Sequence, residues 1–130
     1  MDKHEELRQW FALAKQNLEV AKHLLATFHP IPVESICNNC QQSVEKDLKG
    51  YLFINDVESP KIHNLPALLA MCDKINPEFA KFKKQCVYLN KFGVLPKYPN
   101  ELQITEDDAK LAIRFAEEIK EFVVNNAKVE

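Results

Sequence analysis

The side chains of this chain that could bind a ligand lie in three separate segments. Five belong to one predicted helix, one precedes a short predicted helix, and two belong to a late loop: Gln41, Gln42, Glu45, Lys46, Lys49, His63, Lys97 and Tyr98. Lysine ammonium groups would meet a phosphate or a carboxylate as point charges, a histidine could donate a hydrogen bond, and a tyrosine ring could stack on a base. If these residues form a ligand-binding site, we expect the lysines of the helix, the histidine and the tyrosine to lie around one concavity.

Each of these residues also has an ordinary structural explanation, and the sequence alone leaves both explanations open. Glu45 and Lys49 are four residues apart and could form an exposed ion pair worth about a few tenths of a kcal/mol. His63 could cap or pack the start of the following helix, and the hydroxyl of Tyr98 could bind a backbone group. Lys46 could be a solvated side chain.

No sequence motif of a known catalytic site is present. The chain lacks the phosphate-binding loop G-x-x-x-x-G-K-[ST], the G-x-G-x-x-G fingerprint, the H-E-x-x-H metal motif and the nucleophile elbow. Cys37 and Cys40 have C-x-x-C spacing, but both fall on the apolar face of a predicted helix, whereas zinc-binding pairs usually sit on knuckle turns. We therefore expect the cysteines to be reduced and buried, and we predict neither a metal nor another cofactor.

Length and composition indicate a single soluble domain over residues 1–130. The chain has a formal net charge of −2 and a pI of about 6.1, so bulk charge does not predict nonspecific nucleic-acid binding. No apolar run approaches the roughly 20 residues that span a bilayer, and the stretch MDKHEELRQW at the start lacks the apolar core of a signal peptide. The sequence therefore predicts a cytoplasmic protein with no membrane contact.

Apolar residues recur at three- and four-residue steps over five stretches of the chain. These stretches predict helices at residues 4–28, 34–55, 64–75, 77–92 and 105–126. Asn64 and Thr105 are the predicted N-caps of the third and fifth helices, and Gly93 is predicted to end the fourth in the left-handed conformation. Trp10 and Phe28 fall on the apolar stripe of the first helix. Because so few glycines argue against hairpins, we predict an all-α, antiparallel up-and-down bundle of five helices.

The second predicted helix is the central one, because its apolar stripe is long and its polar side is dense. The stripe consists of Ile36, Cys37, Cys40, Val44, Leu48, Tyr51 and Leu52. Such a stripe is helical only if other elements cover it. Asp47 falls inside the apolar arc, so we expect its carboxylate to find a partner, lie at an interface or reach the helix edge.

The last predicted helix has an unusually broad apolar face. Leu111, Phe115 and Phe122 lie beside its main stripe and widen it. A face of this width suits a helix that is covered on two sides, by its own bundle and by a second subunit. We therefore predict a homodimer in which part of this helix lies at the interface.

Basic residues are concentrated on the fourth predicted helix. Four of them form one exposed side: Lys81, Lys83, Lys84 and Lys91. A side of this kind is usually just solvated. Because the chain has no overall basic excess, any phosphate site would have to be local.

Several of these segments resemble the HEPN domain family, which is named for its occurrence in higher eukaryotes and prokaryotes. The stretch QQSVEKDLKGYL, residues 41–52, is similar to the family's helix signature. The family's opening W…A…L…A…LL helix is matched by Trp10, Ala14, Leu18, Ala21, Leu24 and Leu25. His63-Asn64-Leu65 is similar to the family's His-x-Leu entry to a short helix, and Lys97-Tyr98-Pro99 to its Arg-Tyr-Pro loop. The resemblance covers about residues 5–125 in the family's order.

The resemblance implies a five-helix up-and-down bundle that commonly dimerises. Family members often bind a small nucleotidyltransferase encoded beside them, as toxin–antitoxin or related pairs, and others bind nucleotides. Many are metal-independent ribonucleases that use an arginine and a histidine a few residues later. This chain departs from that pattern, because its only arginines, Arg8 and Arg114, have no histidine at the required spacing.

We therefore predict a non-catalytic, HEPN-like binding module that engages a nucleotidyltransferase partner, a nucleotide or RNA. The alternative is a metal-independent ribonuclease of the toxin type with a non-standard site. A purely structural oligomer is a third interpretation. An adjacent gene for a small nucleotidyltransferase would favour the first two over the third.

Overall fold

The apolar stripes of the sequence form helices that pack around the central one. In this computed structural model, which describes residues 2–94 and 103–127, the helices are α1 (Lys3–Thr27), α2 (Val33–Ile54), α3 (Leu65–Ile75), α4 (Lys83–Asn90) and α5 (Glu106–Asn126). A 3₁₀ helix, Pro77–Phe82, leads directly into α4. The described residues contain no strand, which confirms the predicted all-α bundle of five helices. None of these helices is both long and apolar enough to cross a membrane.

The ends of the helices are set by caps that the sequence partly predicts. Asn64 caps α3 by accepting a backbone N–H of the first turn at 3.0 Å, and Thr105 forms a capping box with Asp108 at the start of α5. The prediction for Gly93 is wrong, because this glycine does not have a positive φ. The left-handed residue is instead Asp56, which follows the end of α2 with a φ of 62°.

The predicted fourth helix is divided into a 3₁₀ part and an α part. The side chain of Asn76 accepts the N–H of Glu78 at 3.0 Å and tightens the start of the segment. Residues three apart align in a 3₁₀ helix, so Phe79 and Phe82 both point into the core. Their ring centroids lie 4.9 and 5.1 Å from that of Phe122 on α5. The tight turn therefore brings two aromatic rings to one point of the core.

The broad face of α5 is covered within the chain itself. Phe122 packs against the two rings of the 3₁₀ helix, and Phe115 meets the ring of Tyr88 edge-on at 5.5 Å. These contacts use the two phenylalanines on which the predicted contact with a second subunit rested. The width of α5 therefore gives no reason for a dimer through this helix.

Helix α2 lies at the centre because α1, α3 and α5 all pack against it. Its apolar stripe is buried, and Leu48 is completely inaccessible to solvent. Gly50 allows α1 to approach closely, since a Cβ there would lie 3.0 Å from the ring of Phe11 and 3.1 Å from the Cβ of Trp10. A larger residue at this position would push α1 away from α2.

Two aromatic residues of the first predicted helix, residues 4–28, lie outside the core, contrary to their assignment from the sequence. Phe28 is 53% exposed because it follows the last turn of α1 with an extended backbone, so the helical stripe no longer directs it inward. Trp10 is half-buried: its Cβ lies beside Gly50, and the residue lines a surface depression with Glu6 and Leu13. Neither aromatic residue belongs to the buried core cluster.

Asp47 is fully buried where α2 meets α5, and the partner that its position requires is Lys120. Its Oδ1 accepts a hydrogen bond from Lys120 Nζ at 3.1 Å, whereas its Oδ2 has no hydrogen-bond partner among the described residues. Burial raises the pKa of Asp47 to about 6, although the charge and the hydrogen bond of Lys120 act in the opposite direction. A single donor does not compensate for the loss of water around this carboxylate.

We expect Leu48→Ala to lower the free energy of unfolding by about 2–5 kcal/mol, because it removes a fully buried side chain from the centre of α2. Trp10→Ala should cost less than Leu48→Ala because part of the indole is already exposed. Urea denaturation measures both values. Gln16→Ala is the exposed control on α1, with an expected change within about 0.5 kcal/mol. A cost below about 1 kcal/mol for Leu48→Ala would show that the α2 stripe is misassigned.

We expect Asp47 to make the protein less stable as the pH rises from about 4 to about 6. Its folded-state pKa lies above the ordinary value of 3.8, so the native protein binds this proton more tightly than the unfolded chain does. Below both pKa values the carboxyl group is neutral in either state. Above both it is ionised, and its burial costs about 3 kcal/mol, since one pKa unit corresponds to about 1.4 kcal/mol.

Asp47→Asn should remove this part of the pH dependence. Urea denaturation of the wild type and the variant at several pH values between about 4 and 7 measures the difference in their free energies of unfolding. Other titrating groups cancel in that difference. A difference that stays constant across the range would contradict the titration of Asp47.

Candidate functional site

The carboxylate of Glu45 lies at the centre of the polar residues of α2, and only 6% of its side chain is exposed. Its Oε2 contacts Lys49 Nζ at 3.2 Å and His63 Nδ1 at 2.9 Å. Its Oε1 accepts a hydrogen bond from Gln41 Nε2 at 3.2 Å. Three donors therefore satisfy a carboxylate that would otherwise be too costly to bury as an anion.

Two opposing effects act on the pKa of Glu45. Burial raises the pKa. The hydrogen bonds from the three donors, of which that of His63 is the strongest, lower it, and so does the charge of Lys49; together they outweigh burial. The net result is a pKa below the ordinary value of a glutamate. Glu45 is therefore an anion at neutral pH, and its charge compensates that of Lys49.

The Glu45–Lys49 pair forms at the predicted spacing, but it is not the exposed pair that the sequence suggested. Only 11% of the lysine side chain and 6% of the glutamate side chain are accessible. The pair is buried because α2 is covered by its neighbours on several sides. The charge of Lys49 is therefore compensated by Glu45 and is not free to bind a ligand.

The imidazole of His63 is the exposed member of the network, with 71% of its side chain accessible. An ionised carboxylate can only accept hydrogen bonds, so the Nδ1 that faces Glu45 must carry the proton. The other ring nitrogen, Nε2, has no hydrogen-bond partner among the described residues. It presents a lone pair when the ring is neutral and an N–H when the ring is protonated.

Contacts with α2, α3 and α4 hold His63 in place. Gln41 Nε2 binds the backbone oxygen of His63 at 3.3 Å. The next residue, Asn64, caps α3, and the N–H of Leu65 donates to Asn90 Oδ1 at 2.9 Å. Because His63 directly precedes these anchored residues, its position depends on the start of α3 and on the end of α4.

Gln41 is fully buried and links α2 to the segment that follows α4. Its Oε1 accepts a hydrogen bond from Gln42 Nε2 at 2.9 Å. A Cβ at Gly93 would lie 3.2 Å from both Cδ and Nε2 of Gln41, so a glycine is needed there for close approach. Asn38 adds a second link by donating to the backbone oxygen of Phe92 at 2.8 Å.

Lys46 belongs to a separate polar network between α1 and α2. Its Nζ contacts Asn17 Oδ1 at 2.6 Å, and Asn17 Nδ2 donates to Asn39 Oδ1 at 2.9 Å. No carboxylate in the described part of the chain forms an ion pair with Lys46. The structure therefore places Lys46 beside the Glu45 network on α2 without a hydrogen bond between them.

Lys97 and Tyr98 lie outside the described residues, and their place beside His63 stays a prediction. The first described stretch ends at Val94, directly after the point where Gly93 contacts Gln41.

Five of the predicted site residues are connected to one another: Gln41, Gln42, Glu45, Lys49 and His63. The sequence reasoning missed Asn17 and Asn90, which support Lys46 and the start of α3. Their signal was weak but present, because each is an uncharged polar residue in a half-buried position among the apolar residues of its helix.

The cysteines are buried and unpaired, as predicted. Burial raises the pKa of Cys37 and of Cys86 to about 12, so both are protonated thiols at neutral pH. Within residues 2–94 and 103–127, no group of histidine, cysteine, aspartate and glutamate side chains has the arrangement of a metal site.

Comparisons with known proteins place this arrangement in a family. The family model of the HEPN domain matches residues 7–127, which is nearly the whole chain. The crystal structure of ST0689, an archaeal HEPN homologue, is similar with a TM-score of 0.75 and 26% identity, and the match covers 94% of this chain and 98% of that one.

A second solved structure shares the fold. The protein TT1696 from Thermus thermophilus has a TM-score of 0.74 and 24% identity, with 92% of this chain and 96% of that chain covered. No curated protein matches the sequence. The family model, the helical bundle and the α2 signature around Glu45 agree with one another, and the chain belongs to the HEPN domain family.

Proposed function

We propose that this chain is a non-catalytic HEPN binding module that engages a nucleotide, a nucleotidyltransferase partner, or both, through the surface around His63. The observation that carries the proposal is the exposed imidazole, whose Nδ1 is held by the buried carboxylate of Glu45. A polar group that is already oriented costs less entropy when a ligand binds. A phosphate or carboxylate oxygen of the ligand would accept a hydrogen bond from Nε2 of the protonated ring.

Lys46 supplies the positive charge of this surface. Lys49 is buried and compensated by Glu45, whereas Lys46 is bound only to the neutral side chain of Asn17. Lys46 directly follows Glu45 on α2, and we propose that its uncompensated charge attracts an anionic ligand that binds at His63.

One observation favours a second candidate function, a metal-independent ribonuclease with a non-standard site. A carboxylate that fixes the tautomer of a histidine leaves the other ring nitrogen ready to act as a general base or acid. Glu45 and His63 have this arrangement. The ribonucleases of the family combine their histidine with an arginine, and neither Arg8 nor Arg114 of this chain has a histidine at that spacing. The binding function therefore remains the first proposal.

We expect the purified protein to bind a nucleoside triphosphate weakly and in a salt-sensitive manner. His63→Asn should weaken binding. The amide of asparagine can still donate to Glu45 in place of Nδ1, but asparagine has no counterpart of the Nε2 that faces the ligand. Lys46→Ala should weaken it by removing a positive charge. Isothermal titration calorimetry at low salt measures the affinities, and circular dichroism verifies that the variants are folded.

Lys15→Ala is the matched control for the loss of one positive charge, because Lys15 is an exposed residue of α1 outside both networks. Its affinity should equal that of the wild type. Lys49→Ala is a poor test, since it would leave a buried carboxylate short of a donor. Absence of nucleotide binding at low salt would contradict the nucleotide ligand and leave the protein partner, which co-purification with a minimal nucleotidyltransferase tests.

The same samples, incubated with a short single-stranded RNA, decide between the two candidate functions. We expect no cleavage by the wild type. Cleavage that is present in the wild type and lost in His63→Asn would establish the ribonuclease in place of the binding module.

The partnership with a small nucleotidyltransferase, as a toxin–antitoxin or related pair, and the homodimer both rest on family membership. The exposed apolar residues of α1 and of the end of α5 support a dimer interface on these helices: Leu13, Val20 and Val124. Burying such side chains in a subunit contact would remove apolar surface from water. We propose this α1–α5 surface in place of the broad face of α5.

We expect equilibrium sedimentation to show a dimer at protein concentrations on the order of tens of micromolar. Val20→Lys should shift the equilibrium toward the monomer, because it places a charge in the proposed apolar contact. Val87→Lys is the control: this valine of α4 is also exposed and lies outside the proposed contact, so the dimer should stay intact. A wild-type protein that is only monomeric under these conditions would contradict the proposal.

A further inference from the structure

The positive charge of this chain is concentrated on the 3₁₀ helix and α4. Between Pro77 and Phe92 the chain has four lysines and a single acidic residue, Glu78, although the net charge of the whole chain is −2. The remaining residues are therefore clearly acidic in sum. A local excess of this kind creates a positive potential on one face of an acidic protein.

The lysines of this segment point away from the core. Lys84 and Lys91 are seven residues apart and share the face of α4 opposite its buried residues, with Val87 between them. Lys81 belongs to the last turn of the 3₁₀ helix, and Lys83 is the first residue of α4. All four lysines are exposed, and Val87 is 54% exposed.

Carboxylates do not neutralise these four lysines within the described residues, where every ion pair involves another cation. Aromatic rings hold two of them instead: Lys81 Nζ lies 4.3 Å from the ring centroid of Phe122, and Lys91 Nζ lies 4.2 Å from that of Tyr88. Asp108 lies near Lys91, but its oxygens are occupied by Tyr88 and by its own capping box. A ring attracts an ammonium group without using up its N–H donors, which remain available to a ligand.

Nine other lysines belong to the described residues. Five of them are paired with carboxylates: Lys3 with Asp56, Lys22 with Glu117, Lys49 with Glu45, Lys110 with Glu106 and Lys120 with Asp47. The other four have no ion pair but lie singly on different segments of the chain: Lys15, Lys46, Lys61 and Lys74. Salt-sensitive attraction of a long anion therefore cannot come mainly from the polar residues of α2. The unpaired face of α4 and its 3₁₀ helix is the better source.

We propose that Lys81, Lys83, Lys84 and Lys91, here called the α4 lysine surface, bind the phosphate backbone of a nucleic acid. Lysine is depleted in protein–protein interfaces, whereas its compact point charge suits phosphate. The partner is therefore a polyphosphate backbone and not a protein. The contacts are electrostatic and independent of base sequence. This surface is distinct from His63, and the inference does not depend on the function proposed for that site.

Fluorescence anisotropy of the full chain with short labelled single-stranded DNA and RNA tests this proposal. We expect affinity for both to fall as salt rises. The double variant Lys83→Gln with Lys84→Gln should bind more weakly and should reduce the slope of log K against log salt by about 1.4, since each phosphate contact on a single strand contributes about 0.7. Glutamine preserves side-chain length, and neither of these lysines is held by an aromatic ring.

The matched control is Lys15→Gln with Lys110→Gln, which removes the same charge from α1 and α5. This control should keep the wild-type slope, and an equal loss in both double variants would overturn the proposal. Absence of binding at low salt would overturn it as well. So would a polyglutamate peptide that binds as tightly as the oligonucleotide through the same lysines, because the surface would then fit an acidic protein.

Discussion

The burial of α2 by its neighbouring helices is the constraint on which the rest of the structure depends. It removes the carboxylates of Glu45 and Asp47 from water, so each of them must be stabilised by protein groups. Glu45 receives three donors and has a lowered pKa, whereas Asp47 receives one donor and has a pKa raised to about 6. Two residues of one helix turn thus meet the same constraint with opposite results. Glu45 is the anion of a polar network at neutral pH, whereas Asp47 is a group of the core that gains or loses a proton near pH 6.

The helices could be predicted because their signals are local. Apolar periodicity, the N-caps Asn64 and Thr105 and the prolines between the elements are all contained in short stretches of sequence. The failures arise where a neighbouring element decides the outcome. The half-exposure of Trp10 depends on how closely α1 approaches Gly50, and the width of α5 is explained only by aromatic rings from the 3₁₀ helix and α4.

The candidate site shows the same division between local and long-range information. The i, i+4 spacing of Glu45 and Lys49 predicts their pairing, but their burial follows from the packing of other helices. His63 is 18 residues from Glu45 in the chain, and Asn17 is 29 residues from Lys46. Residue types alone cannot assign partners over such distances. The sequence therefore predicted five residues of the Glu45 network but neither Asn17 nor the division of the polar residues into two networks. The structure also explains why Lys46 and Lys49 differ: Lys49 is paired with Glu45, whereas Lys46 is bound only to Asn17.

The anchoring of His63 has a consequence for the local stability of the domain. His63 is held by Gln41 of α2, by the capped start of α3 and by the link from Leu65 to Asn90 of α4. A local opening that separates α3 and α4 from α2 would therefore dismantle the site before the bundle as a whole unfolds. By mass action, any ligand that requires the oriented imidazole must oppose that opening. Binding of a ligand to His63 would then slow the hydrogen exchange of the backbone amides at the start of α3.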